Sequence, residues 1–101
     1  MKKLFISQPM RGKTDEEIIA EREKAISEAK KILCDDVELI DTFFGTGDMT
    51  HALEFLGESI KSMANADVAY FADGWENARG CKIEYECAVQ YGIRIVGDNN
   101  G

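Results

Sequence analysis

Between Val68 and Val96 the chain reads as a strand, a glycine-bearing turn, a helix and another strand, and no other stretch restricts the fold so tightly. Val68 to Phe71 is an apolar run with the length and composition of a short buried strand. The polar residues from Asp73 to Arg79, Gly74 among them, form the turn. From Gly80 the pattern is helical, with Ile83, Cys87 and Val89 to Tyr91 expected to cover a core and Gly92 to stop the helix. Ile93 to Val96 supplies the next strand. Two such strands joined through a helix in one sheet are parallel, with a right-handed crossover. Ligands of these sheets lie at the carboxyl ends of the strands, against helix N-termini. Glu84, one helical turn beyond Gly80, should look into that crevice and is the first candidate for chemistry.

The first half of the chain repeats the unit. Lys3 to Ser7 is a short strand that runs into Gln8-Pro9-Met10-Arg11-Gly12, a turn holding the only proline. Thr14 followed by Glu17 has the form of a capping box, and Asp15 and Glu16 favour the positive end of a helix. Ile18, Ile19, Ala25, Ile26, Ala29, Ile32 and Leu33 recur at helical spacing. Val37 to Ile40 gives a second strand, and Thr42 to Asp48 a glycine-containing connection. A second helix is expected from about Asp48 or Thr50, with Leu53, Leu56, Ile60 and Met63 along one face. Residues 97–101 form a polar tail. The order β-α-β-α-β-α-β indicates an α/β fold, a small three-layer sandwich with a mostly parallel sheet.

At 101 residues the sequence reads as a single domain, 1–101. A net charge of -7 argues against generic binding to a nucleic-acid polymer, which needs a clustered basic surface. No apolar stretch reaches membrane-spanning length, so neither a membrane partner nor a location outside the cytoplasm is expected. Cys34, Cys81 and Cys87 are odd in number and lack the C-x-x-C spacing. With His51 as the only histidine, they read as reduced, packing thiols and not as a zinc site.

Chemistry-bearing residues gather at the strand ends. Arg11 and Gly12 precede a helix start, and an arginine with free backbone amides at that edge suits a phosphate or carboxylate. Glu84 and Glu86 stand two apart on one helix, so at most one faces the crevice. Trp75 either stacks on a planar ligand or covers the end of the sheet. Neither a dinucleotide nor a P-loop glycine fingerprint is present.

Phe5-Ile6-Ser7-Gln8-Pro9-Met10-Arg11-Gly12, Asp67 ahead of an apolar strand, Gly74-Trp75-Glu76-Asn77-Ala78-Arg79-Gly80-Cys81, and Glu84 with Ala88 and Gly92 carry a further signal. Together they resemble the small, often phage-borne domains related to nucleoside 2-deoxyribosyltransferases, which are similar to the 2'-deoxynucleoside 5'-monophosphate N-glycosidases. The resemblance spans nearly the whole chain. It implies a flavodoxin-like sheet of four to five strands, a homodimer or higher homo-oligomer, no cofactor or metal, and attack on the N-glycosidic bond of a nucleoside or nucleotide. Glu84 matches the family's nucleophile. The matching motifs imply substrate contacts from Ser7, Gln8, Met10, Arg11 and Gly12 in the first turn. Further contacts are implied for Ser59 on the second helix and for Asp73, Gly74, Trp75, Asn77, Arg79 and Gly80 after the third strand.

The chain departs from the family's usual pattern at four positions. Phe5 stands where a tyrosine is usual, Gln8 where glycine is frequent, Ser59 where aspartate is frequent, and Ala78 where the enzymes carry aspartate or serine. Loss of a positioned acid or base costs ~10²–10⁴ in rate. The sequence therefore supports two functional expectations, glycosidic-bond cleavage or transfer through Glu84 and a non-catalytic nucleotide-binding module. A protein that kept the fold alone is the third.

Overall fold

The computed structural model describes residues 1–9, 12–40 and 52–97. Its elements run β1 (Lys2–Ser7), α1 (Asp15–Leu33), β2 (Val37–Leu39), α2 (Ala52–Met63), β3 (Val68–Phe71), α3 (Arg79–Gln90) and β4 (Arg94–Val96), with a single 3-10 turn at Trp75–Asn77 before α3. The strands form one sheet in the order β2-β1-β3-β4. All three pairings are parallel, so the sheet expected to be mostly parallel is wholly so. The sequence motif 42–48, the start expected for α2 near 48–50, His51 and residues 98–101 fall outside the described residues.

The strands owe their two-sided burial to layers on both faces. Leu4 and Ile6 of β1 and Val68 and Tyr70 of β3 pack on one face with Ala25 and Ala29 of α1. Phe5 and the β3 residues Ala69 and Phe71 pack on the other, with Met63 of α2 and Ala88 of α3. Phe5, Leu4, Ile18 and Phe71 are fully buried. Burying a side chain of this size stabilises by about 1.5–3 kcal/mol. Helix α1 begins as its sequence dictates: the Thr14 hydroxyl accepts from the Glu17 amide and the Glu17 carboxylate accepts from the Thr14 amide, each at 3.2 Å. Such a cap contributes ~1 kcal/mol.

On α2, Leu53 of the expected apolar face is exposed while Met63 is buried, and the two other helices turn differently from the periodicity reading. On α3 the buried residues are Cys81, Glu84 and Ala88, while Ile83, Val89 and Tyr91 lie exposed. On α1, Arg22 is buried whereas Ile19 and Ile32 are about half exposed. In each case a polar side chain takes an inward position because it finds a partner on β1 or just beyond it. Nor do all the thiols pack. Cys34, in left-handed conformation at the end of α1, is exposed, Cys81 is buried, and Cys87 is half-buried.

At the far end of β4, Gly97 has φ +75°. A Cβ there would meet the Tyr70 ring at 2.6 Å. That ring is held in turn by its hydroxyl, which donates to the Glu28 carboxylate. Burial first, and then Glu28, holds the phenol well above its ordinary range. Glycine is the residue this close approach requires.

Candidate functional site

The chain passes from β1 outward to β2, then returns across β1 to β3 and on to β4. Strands β1 and β3 are therefore neighbours whose following connections diverge, the switch point at which open α/β sheets bind ligands. Ser7 and Phe71, the last residues of the two strands, are register partners. The β3 exit is closed down by backbone bonds, Ala72 N–H to Ser7 O at 2.9 Å and Trp75 N–H to Ala72 O at 3.1 Å. Gly74, at φ +87°, makes the bend that starts the 3-10 turn. Helix α3 follows at once, and its N-cap residue, Ala78, makes no side-chain hydrogen bond to it.

Glu84 projects from α3 onto this point. It is 7% exposed, and its Oε1 accepts a hydrogen bond from the Ser7 hydroxyl at 2.6 Å, both groups being buried. That length is typical of a hydroxyl donating to a carboxylate. Ser59, half-buried on α2, lies near enough for its hydroxyl to favour the ionised form of the same carboxyl group. Burial raises the Glu84 pKa from its ordinary 4.5 to about 7, desolvation outweighing the opposing pull of the two serine hydroxyls. A carboxyl poised near neutrality, at the carboxyl edge of the sheet, has the protonation behaviour of a reacting group.

The other expected site residues divide. Ser7 and Ser59 converge on Glu84. Gly80 faces α2, where a Cβ would make an ordinary contact with the Leu56 side chain at 3.9 Å. Trp75 is half-buried and stacks on Tyr85 at 4.2 Å and 12°, with Phe71 edge-on to both rings. Of the two sequence expectations for Trp75, covering the sheet's end is the one its packing meets in this state. Gln8 is buried on the opposite face: its amide donates to the Ile18 carbonyl at 3.1 Å and accepts from Arg22 at 3.3 Å, both on α1. It therefore lies with α1 and not with Glu84. Asp73 is exposed, 3.9 Å from Lys24 of α1, and Gly12, Asn77 and Arg79 are also exposed. Met10 and Arg11 fall outside the described residues.

Four residues at or near this edge were not singled out by the sequence. Cys81, one turn before Glu84 on the same face of α3, is buried. Tyr85 forms the floor of the aromatic stack. Lys13, half-buried and 2.6 Å from Glu21, is near enough for its charge to act on the Cys81 thiol. Arg22 orients Gln8. The 81, 84, 85, 88 spacing on one helical face was the signal available for the first two. Among the described residues, no group of His, Cys, Asp and Glu is arranged to hold a metal ion, and no helix is long and apolar enough to cross a membrane.

Fold and site together define a small, wholly parallel α/β domain with a buried, serine-held carboxyl group at the switch point of its sheet. Residues 2–97 match the family model described as Domain of unknown function (DUF4406), and the chain belongs to that family. Neither curated proteins nor solved structures gave a match.

Proposed function

We propose that the protein cleaves, or transfers at, the N-glycosidic bond of a deoxynucleoside or its monophosphate, with Glu84 as nucleophile. The observation that carries this reading is the Glu84 carboxyl group, buried at the β1/β3 switch point and held by Ser7. A Glu84 carboxylate oxygen forms a bond to the anomeric carbon as the carbon–nitrogen bond breaks. Its electron pair leaves with the base, which takes up a proton. Water, or a second base, then attacks the same carbon, and the carboxylate is restored. The developing positive charge on the sugar favours an ionised carboxylate beside it. The resemblance to deoxyribosyltransferase-like domains supports the choice of substrate class, and Arg11 is the residue assigned to a 5'-phosphate.

The test is release of free base. Incubation with a panel of deoxynucleosides and their monophosphates, followed by chromatography, should give base with the wild-type protein and none with Glu84→Ala. No release from any member of the panel would end the catalytic reading.

A second reading, a non-catalytic nucleotide-binding module, draws on two features. Phe5 is fully buried in the core and offers no hydroxyl, and a serine, Ser59, stands near Glu84 in place of an acid. Thermal stabilisation by nucleotides without base release would select it; a ligand at 100 Kd adds ~2.7 kcal/mol.

The protein is assigned to the cytoplasm and to a homo-oligomer that builds its sites beside subunit contacts. Leu53 of α2 and Ile83 and Val89 of α3 are exposed apolar residues such a contact would cover. Size-exclusion chromatography with light scattering should return at least a dimer mass, and a monomer would remove the assembly from this proposal.

A further inference from the structure

We infer that Ser7 is a positioning residue that keeps the glycosyl-enzyme short-lived, its hydroxyl holding Glu84 Oε1 and favouring return of the ester to the carboxylate. The inference rests on the reading of Glu84 as the nucleophile. The Ser7 hydroxyl donates to Glu84 Oε1 at 2.6 Å, and both side chains are buried. A serine hydroxyl has one hydrogen, so Ser7 has none left to give to a substrate, the role the family resemblance implied for it. Its position is fixed from both sides. The Ser7 carbonyl accepts from the Ala72 amide at 2.9 Å, and Ser7 pairs in register with Phe71. The side chain of the next residue, Gln8, is held by Ile18 and Arg22 of α1. The hydroxyl therefore stays in place while the carboxyl group reacts.

With Oε1 bound in this way, Oε2 is the oxygen that attacks. In the first step Oε2 bonds to the anomeric carbon and the carbon–nitrogen bond breaks. Its electron pair goes to the base, which takes a proton from solvent. Oε1 is then the carbonyl oxygen of a neutral ester. In the second step a water oxygen bonds to the same carbon, the carbon–Oε2 electron pair returns to the carboxylate, and the spare proton of water passes to solvent. Ser7 donates to Oε1 throughout, but a hydrogen bond to a charged oxygen is roughly twice as strong as one to a neutral oxygen. The free carboxylate thus gains most from Ser7 and the ester least. The two transition states, each with part of the charge on the carboxyl group, fall between. Removing the bond speeds ester formation and slows ester breakdown. The same bond favours ionisation of the free carboxyl group. Among the described residues, the groups acting on that ionisation are the uncharged hydroxyls of Ser7 from β1 and Ser59 from α2. Cys81, one turn earlier on α3, has its thiol pushed up to about 12, chiefly by burial, and is neutral as well.

The experiment is rapid quenching and intact-mass spectrometry of the protein during reaction with each of the common 2'-deoxynucleoside 5'-monophosphates. It is run under reducing conditions and well above the Glu84 midpoint, so that the carboxylate is ionised in every variant. A sugar phosphate added to the mass of the protein marks the ester. Ser7→Ala should raise the ratio of ester formation to ester breakdown about tenfold, the difference between a hydrogen bond to a charged group and one to a neutral group. Ser7→Cys keeps a weaker donor in nearly the same shape and should fall between alanine and the wild type. An NMR titration of carboxyl-¹³C glutamate without substrate gives a second readout, the Glu84 signal being the one that Glu84→Gln removes. The midpoint should rise by ~0.5–1 unit in Ser7→Ala and by less in Ser7→Cys. An unchanged ratio, a slower first step in Ser7→Ala, or a midpoint that does not move would each overturn the inference. Base release by the wild type alongside such a result removes the inference and keeps the proposed reaction. No release from any of the monophosphates removes both.

Discussion

Base release by the wild-type protein should fall about tenfold for each pH unit below about 7 and level off above it. The attacking group must be the carboxylate, and burial has raised the Glu84 pKa to about 7. The pH dependence of kcat/KM reports the free enzyme, in which the charge of a half-formed oxocarbenium centre is absent and cannot lower that value. Two units below the midpoint, near pH 5, the rate constant should be down roughly a hundredfold. Glu84→Gln should show no such profile and should lie ~10⁴-fold or more beneath the plateau, as loss of a nucleophile does elsewhere. Measuring kcat/KM for the released base between about pH 5 and 9 decides the matter. A rate that climbs toward acid would make Glu84 a proton donor, and the covalent mechanism would have to be given up.

The neighbours of Glu84 explain why such a carboxyl is tolerated at all. An unpaired carboxylate in the interior would be driven almost wholly to its neutral form. Two serine hydroxyls, one from β1 and one from α2, return part of the lost hydration. They do not return all of it, and the residue stays half-ionised near neutrality. Neither serine is an acid, so nothing described beside Glu84 supplies a proton to a departing base. On the proposed reaction, the bases expected to be released are those that leave readily or that are protonated from solvent.

Much of this was legible in the chain. The order of elements follows from apolar runs, the Thr14–Glu17 capping box and the placing of glycines. In a parallel sheet that order puts the carboxyl ends of β1 and β3 on one edge, while their being neighbours comes from the strand order and was not legible. Which face of α3 turns inward was not legible from hydrophobicity. Ile83, Val89 and Tyr91 carry more apolar surface than Cys81 and Ala88, yet they are exposed. The inward register is fixed by Glu84 meeting Ser7, a partner 77 residues distant in the chain. Arg22 on α1 follows the same logic, held by Gln8 while Ile19 stays outside. The side taken by Gln8 could have been read. Strand alternation sends Leu4, Ile6 and Gln8 one way and Phe5 and Ser7 the other, so a glutamine after Ser7 belongs with α1 and not with Glu84. The Trp75–Tyr85 stack had no comparable signal, because a 3-10 turn sets the angle at which the indole returns to the helix.

Glu84→Gln should make the protein more stable at about pH 8 and leave it nearly unchanged at about pH 4.5. A carboxyl whose pKa is higher folded than unfolded binds its proton more tightly in the native state. Between the unfolded value near 4.5 and the folded value of about 7, the native protein holds more protons than the unfolded chain, so stability falls as pH rises through that window. Above about 7 the loss is complete and constant. A rise from 4.5 to about 7, at ~1.4 kcal/mol per unit, corresponds to about 3 kcal/mol. Glutamine is close in shape, accepts the Ser7 hydrogen bond and carries no charge to desolvate, so most of that loss should be recovered. The recovery is reduced by whatever the new amide hydrogens lack in partners. Urea unfolding of both proteins at the two pH values measures the effect directly. The wild type should lose stability from about pH 4.5 to 8 relative to the variant, with the two curves converging at the acid end. Parallel curves would mean that Glu84 is ionised at no cost in the folded protein, and with that the physical basis for treating it as a poised carboxyl group would disappear.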